Sequence, residues 1–558
     1  MRPWTNKTLG FGVLGLLLVV GGISLCFFGP SLFQFILESE MKLSPNSRSF
    51  EVWKDTSKLP PMHLKFYFFN WTNPEELRIP GKKPNLVEVG PYSFREVKKK
   101  FNITFHPENS TVSYFQRRFW TFDPSASNGS LNDKVIQLNV VAVSAAHKTR
   151  YWSIFMQNSL SYVLSSSSQL YIVKSIDELL FTGYDDTVIK MGKLAVAEDD
   201  IPPFDRFGWF YKRNGSYEID GHFNMATGED DIKNLGVIKN WNYRDTTKFF
   251  RSPCNVIEGS AGEFWPPHRT KDDVTMFSVD LCRPITYEYT ETAEYLGVKG
   301  YKFSLGGKTF GNDTRRRYPH DQAKYFEAVT TTEDFFNAEH SAEANTKSLL
   351  EDDPDTVNLG YCYCNGECTP SGLINITACR YGAPAFVSLP HFYKGDPVLL
   401  DQVHGLRPSS DHDFYIILEP TTGVPLRVAA RFQVNILLQP SKTISLFKDV
   451  PKIFFPILWF SMDVALTEDV VSNISMFLLL PDICLYTSAA MALVGSLMLL
   501  AIAVLHYVNG RSRVPLNSKL DYPDSTSIEK EEIVYMDKVN TNDDSNARTD
   551  RQLYPKLY

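Results

Sequence analysis

Cys362, Cys364 and Cys368 fall within seven positions of the stretch YCYCNGECTP (361–370), and Cys379 follows eleven residues later. Such a group suits a metal clamp, a redox centre or structural disulfides. The spacing C-x-C-x₃-C lacks the paired C-x₂-C of structural zinc sites, and no histidine lies nearby. Two of the eight cysteines, Cys26 and Cys484, sit in or beside apolar segments, where they read as small apolar packers or as lipid-modification candidates. Cys254, Cys282, Cys362, Cys364, Cys368 and Cys379 remain. In an oxidising compartment that even number implies three disulfides. The residues alone leave their pairing open.

The compartment follows from two segments. Residues 9–28 carry no charge, and residues 483–508 carry only His506. About 20 apolar helical residues span a hydrocarbon core of roughly 30 Å, so both are candidate transmembrane helices. The first is long for a signal peptide, and CFFGP offers no small-x-small cleavage site. Arg2 and Lys7 precede it, while Arg511, Arg513 and Lys519 follow the second; positive residues stay cytosolic. The chain therefore divides into a cytosolic N-terminus (1–8), a span (9–28), a luminal or extracellular domain (30–482), a second span (483–508) and a polar cytosolic tail (509–558). Sequons at Asn70, Asn102, Asn109, Asn128, Asn214, Asn312, Asn375 and Asn473 all fall in the ectodomain, as expected of a glycosylated surface. Asn6 matches too, but on the cytosolic side. A net charge of −7 with 22% charged residues describes a globular chain and gives no footprint for nucleic acid.

These elements must position the cysteines. Residues 63–71, 135–143, 413–420 and 426–440 are rich in aromatic and β-branched residues and bounded by turn formers, which reads as a large antiparallel β architecture. Residues 150–173 and 175–183 look helical, with Ser175 and Glu178 as a capping box and Gly183 as the stop. The first of these is apolar on more than one face, so it is either buried or an exposed patch. Residues 450–460 are strongly apolar, and the runs 98–100 (KKK) and 315–317 (RRR) read as solvated loops or faces. Residues 306–309 (GGKT) fail as a P-loop because the first glycine of the motif would fall at Lys302. There is no H-E-x-x-H and no G-x-S-x-G, so nothing points to an enzyme or a cofactor.

The stretch FNWTNPEELRIPGKKPNLVEVGPYSFRE (69–96) resembles the signature of the class B scavenger receptor family, which includes the fatty-acid translocase, the high-density-lipoprotein receptor and the lysosomal integral membrane protein. Residues 221–242, YCYC (361–364), SLPHF (388–392), 419–440 and FPILWF (455–460) extend the likeness in the same order. The resemblance covers about residues 5–510. It implies a mainly β fold with α: an irregular antiparallel β-barrel with a helical apex bundle over residues 150–183 and an apolar tunnel, anchored by two transmembrane helices. It also implies the pairs Cys254–Cys362, Cys282–Cys379 and Cys364–Cys368. The apex reading turns residues 150–173 into a ligand surface, with Lys148, Arg150, Tyr151, Phe155, Leu160 and Leu164 as candidate contacts. Residues 161–170 carry no charge, unlike the basic apex of lipoprotein-binding members, which favours neutral lipid or a protein surface over anionic particles.

The leading functional expectation is a non-enzymatic scavenger-type receptor at the plasma membrane and endolysosomes, binding lipid (sterol, fatty acid or phospholipid) or protein cargo, with homo-oligomers open. A two-span ligand-gated channel is the alternative, although residues 483–508 offer no polar stripe for a pore beyond Thr487, Ser488 and Ser496. A luminal enzyme ranks third. The tail ends RQLYPKLY, and Tyr554 with Leu557 fits a Y-x-x-Φ signal for clathrin-adaptor complexes, which bind it extended; Pro555 favours that form.

Overall fold

The computed structural model describes residues 6–58, 61–195, 203–312, 314–317, 356–364 and 368–511. Tyr554 and Leu557 lie outside the described residues. Two compact units are present: residues 18–493, and the outer ends of two long helices.

Helix α1 (Asn6–Met41) is followed by α2 (Arg48–Lys54), capped by Ser47, whose hydroxyl accepts from Phe50 N. Strands β1 (Met62–Trp71), β2 (Leu86–His106), β3 (Thr111–Phe122) and β4 (Lys134–Leu138) come next. A helical insertion holds α3 (Val140–Lys148) and α4 (Ile154–Ser167), then β5 (Tyr171–Ser175) and α5 (Thr187–Ala195). The chain returns to sheet with β6 (His222–Ala226), β7 (Ile238–Trp241), β8 (Val274–Ser278), β9 (Arg283–Tyr295) and β10 (Val298–Leu305). Short β11 (Arg315–Arg317), β12 (Thr356–Asn358) and β13 (Ile374–Asn375) precede β14 (Ala385–Ser388), β15 (Tyr415–Leu418), β16 (Pro425–Leu438) and β17 (Ile453–Ala465). Helices α6 (Glu468–Leu478) and α7 (Leu480–Arg511) end the described chain.

One antiparallel sheet of 13 strands carries the fold, ordered β7-β6-β3-β2-β1-β17-β16-β15-β10-β9-β8, with β14 also pairing β16 and β13 pairing β14. It curls into a nearly closed barrel. Residues 259–261 zip its two edges together: Ile238 N donates to Gly259 O (2.9 Å), Ala261 N to Gly236 O (2.9 Å), Ser260 N to Thr275 O (2.9 Å) and Phe277 N to Ser260 O (2.9 Å). Both edge strands are thereby paired, which removes the exposed edge that invites aggregation. The main core is aromatic, with Phe66, Phe68, Phe69 and Trp71 of β1 fully buried. Phe69 and Trp71 break the alternation because β4 docks here: Ile136 N donates to Asn70 Oδ1 (2.8 Å) and Gln137 Nε2 to Ile457 O (2.7 Å).

Several sequence expectations change. Residues 135–143 are not one strand: β4 stops at Leu138, and the Asn139 side chain caps α3 by accepting from Ala142 N (3.1 Å). Residues 171–175, expected helical, are β5, paired with β4. Ser175 and Glu178 do bond reciprocally, through Glu178 N to Ser175 Oγ (3.2 Å) and Ser175 N to Glu178 Oε2 (2.9 Å). Residues 453–460 form part of a buried core strand, β17.

The KKK run is not a uniformly solvated face. The Lys100 side chain is 1% exposed. Its Nζ donates to Trp53 O (3.0 Å) and Glu263 Oε1 (2.7 Å), and Trp53 Nε1 donates to Glu263 Oε2 (2.8 Å). Burial pushes the Lys100 amine below its usual range, against the pull of Glu263. This lock fastens α2 to the barrel wall.

Helices α1 and α7 are long and apolar enough to cross a membrane. Within the larger unit they approach closely at Gly22, where a Cβ would stand 2.7 Å from Ser488 O. Within the smaller unit, a Cβ on Gly15 would stand 3.2 Å from Gly495 O. Small residues permit such contact between membrane helices.

Six cysteines form three disulfides, Cys254–Cys362, Cys282–Cys379 and Cys364–Cys368. Among the described residues no group of three or more His, Cys, Asp or Glu side chains is placed to hold a metal ion.

Candidate ligand-binding helical bundle

Helices α3 and α4 pack over the connection between β16 and β17. Ser153 starts α4, its hydroxyl accepting from Met156 N (3.4 Å). The inward face of α4 is fixed by hydroxyl bonds: Ser445 N donates to Ser161 Oγ (3.0 Å), Ser165 Oγ lies 2.7 Å from Ser445 Oγ, and Thr443 bonds Gln157. Gln157 Nε2 in turn donates to Trp152 O (2.8 Å) and Arg150 O (3.1 Å). The serine run therefore does packing work on one side of the helix.

The outer side exposes large apolar rings. Tyr151, Phe155 and Tyr162 are 80%, 77% and 79% exposed, and Ile154 is 68% exposed. Phe155 and Tyr162 lie two turns apart on α4, so their rings share one stripe, while Tyr151 stands in the turn that precedes Ser153. Tyr162 and Ile154 were missed in the sequence, although seven residues from Phe155 to Tyr162 is a readable signal. Two candidate contacts are corrected. Leu164 is fully buried and Leu160 packs against the main core, because α4 needs an apolar inward side to sit on the barrel. Lys148 and Arg150 end α3 and the following turn; Lys148 Nζ donates to Tyr381 O (3.4 Å), and the Arg150 guanidinium lies 4.4 Å from the Tyr151 ring centroid. A pocket of about 250 Å³ between α3 and the chain after β16 is lined by Val143, His147, Arg150, Leu437, Lys442 and Phe447.

A second polar cluster lies under the segment preceding β15. His391 Nε2 donates to Glu88 Oε2 (2.7 Å), as does Trp459 Nε1 (2.7 Å), and Arg407 N donates to His391 Nδ1 (3.1 Å). The His412 ring stacks on His391 at 4.5 Å. Burial foremost, and then the neighbouring His391 ring that a second positive charge would have to face, pushes His412 down to about 4. The unfolded chain, with an ordinary histidine, takes up a proton that the folded one refuses between those values. His412 thus contributes stability that is full above about pH 6.5 and is lost as pH falls toward 4. Because the ring is only half-buried, we expect a loss of about 1–2 kcal/mol. Thermal unfolding of the full chain should show a midpoint falling between pH 7 and 4.5, and His412→Asn should flatten that slope. An equal slope in both proteins would rule out His412 as its source.

The sequons sort by environment. Asn102, Asn109 and Asn128 are exposed. Asn70 is half-buried in β1, Asn312 bonds Thr369, and Asn214 holds both Trp120 N (3.1 Å) and Trp120 O (3.0 Å) with its amide. Asn375 is half-buried and accepts from Thr377 N (2.9 Å), and Asn473 is exposed on α6.

Residues 13–506 match the family model described as the CD36 family. Similar proteins include Protein peste of Drosophila melanogaster, 38% identical over 474 residues (84% of this chain, 77% of that protein). Scavenger receptor class B member 1 of Mus musculus is 28% identical over 497 residues (88% of each chain). Lysosome membrane protein 2 of Homo sapiens is 29% identical over 474 residues (83% of this chain, 87% of that protein).

Proposed function

The chain belongs to the CD36 family, and from that premise we propose that it is a non-enzymatic scavenger-type receptor of the plasma membrane and endolysosomes, taking lipid or protein cargo on the α3–α4 bundle. Cargo is then internalised, or its lipid is passed on through the barrel. Two spans hold it with both termini cytosolic. The names of the relatives, a scavenger receptor and a lysosome membrane protein, support this reading. The observation that carries it is the exposure of Phe155 and Tyr162 on α4, 77% and 79%, with Tyr151 nearby in the preceding turn at 80%. Exposed apolar patches mark interaction sites, and aromatic side chains dominate the energetics of interfaces.

The test compares binding with surface amount in cells given fluorescent phosphatidylcholine–sterol particles and, separately, a labelled protein cargo. Phe155→Glu with Tyr162→Glu should cut binding about tenfold, about 1.4 kcal/mol, at unchanged surface amount. Leu164→Glu should remove the protein from the surface, because a charge would be buried. Unchanged binding of both cargoes by the double variant would refute the stripe as the binding face. In the same assay Tyr554→Ala, in the tail proposed to engage clathrin adaptors, should bind normally and internalise slowly; normal internalisation would remove Tyr554 as the signal.

A further inference from the structure

The two membrane helices are longer than a bilayer requires. The apolar candidate spans cover Lys7–Met41 and Glu468–Val508, whereas about 20 residues suffice to cross. The level of the hydrocarbon edge can be placed within the larger unit. A Cβ on Gly29 would stand 3.5 Å from Cys484 Cβ, so these positions lie at one height. Asp482, exposed, is the charge just outside residues 483–508, which puts the edge near Gly29 and Asp482.

Just beyond that edge the helices still expose apolar side chains. Leu32 and Phe35 of α1 are 55% and 71% exposed, and Met476 and Leu479 are 60% and 51% exposed. The opposite faces are packed. The Phe33 and Phe477 rings meet at 5.0 Å, Leu37 is buried, and Val471 joins Val298, Ile417 and Leu426 in a small core. Each helix is thus fastened on one side, and the turn nearest the edge exposes apolar side chains on the other, whereas the first half of α6 exposes Glu468, Asp469, Ser472 and Asn473. Phe35 lies about 9 Å beyond Gly29 at about 1.5 Å per residue, within the roughly 5–10 Å depth over which interfacial helices bury their apolar faces. The nearest charges beyond the edge, Glu38 on α1 and Glu468 with Asp469 on α6, lie about 14 Å and about 20 Å from it at the same rise, past this zone.

We infer that residues 30–36 of α1 and the C-terminal turn of α6 with Leu479 form a collar seated in the phospholipid headgroup layer of the chain's own membrane. The collar is continuous with the two spans, and the inference rests on the membrane-spanning reading of α1 and α7.

Nitroxide labels on the full chain in phosphatidylcholine nanodiscs test this. In a Cys26→Ala, Cys484→Ala background, labels are placed at Phe35→Cys and Met476→Cys, with Leu493→Cys as the buried reference and Asn102→Cys as the aqueous one. Collisions with oxygen and with a water-soluble nickel chelate are measured. Labels at 35 and 476 should be several-fold less accessible to nickel than the label at 102. Nickel accessibility equal to that at 102 overturns the collar. If the label at 493 is also water-exposed, the spanning reading itself has failed.

Discussion

Glu263→Ala should cost about 3–5 kcal/mol and sharply reduce the amount of folded protein reaching the cell surface. The reason is asymmetry. Lys100 is buried with a carboxylate 2.7 Å away, and removing one partner of a buried pair leaves the other charge without its counter-ion in a low-dielectric site. Trp53 Nε1 loses its acceptor in the same step, so α2 loses its tie to the barrel wall. Replacing both charges by apolar residues, Lys100→Met with Glu263→Leu, should recover much of the loss, because neither residue then needs a partner. Surface amount and the thermal midpoint of the full chain are the measurements. A single variant with normal stability, or a double variant worse than the single, would show that the pair is not what holds α2.

Gly259→Ala should cost about 3 kcal/mol by reopening the barrel seam. Gly259 adopts φ +93, and a Cβ there would stand 2.5 Å from Thr275 O. That carbonyl accepts one of the seam bonds, from Ser260 N, so the clash cannot be relieved without separating 259–261 from β8. Left-handed backbone adds roughly 1–2 kcal/mol for a residue with a side chain. Each seam bond lost contributes about 0.5–1.5 kcal/mol. Gly297→Ala is the control: φ is +83, but nothing lies within 4 Å of its Cβ. It carries the backbone cost without the clash, and should be the milder change in the same thermal scan. Equal losses at both positions would mean that the seam adds nothing to stability.

Much of the barrel was readable because β1, β15 and β16 bury alternating or continuous apolar residues between obvious turns. The failures have local causes. At 135–143 the β-branched run continues from strand into helix, and only the cap formed by Asn139 separates them. At 171–175 the helical signal lost to pairing with β4, a tertiary contact that propensity does not contain. Lys100 looked solvated because its partner lies 163 residues away. Of the candidate binding surface, Tyr151 and Phe155 stand outside, whereas Leu164 is buried, since an apolar helix does not announce which of two apolar sides faces the core. Which cysteines meet was also beyond the residues themselves, with separations of 108 and 97 along the chain.

Strands β1 and β17 are neighbours in the sheet, with His63 opposite Asp463 and Phe66 opposite Phe460. The first strand to leave the ribosome therefore waits for the last one. Until translation passes β17, β1 shows one unpaired edge lined with phenylalanine, and closing so long a loop is slow. Synthesis at about 5–20 residues per second makes this wait last tens of seconds. A chain stopped anywhere before β17 keeps that edge open however well its other strands have formed. The barrel thus works as a completeness check, in which an unfinished receptor remains visibly unfinished to chaperones that bind apolar strands.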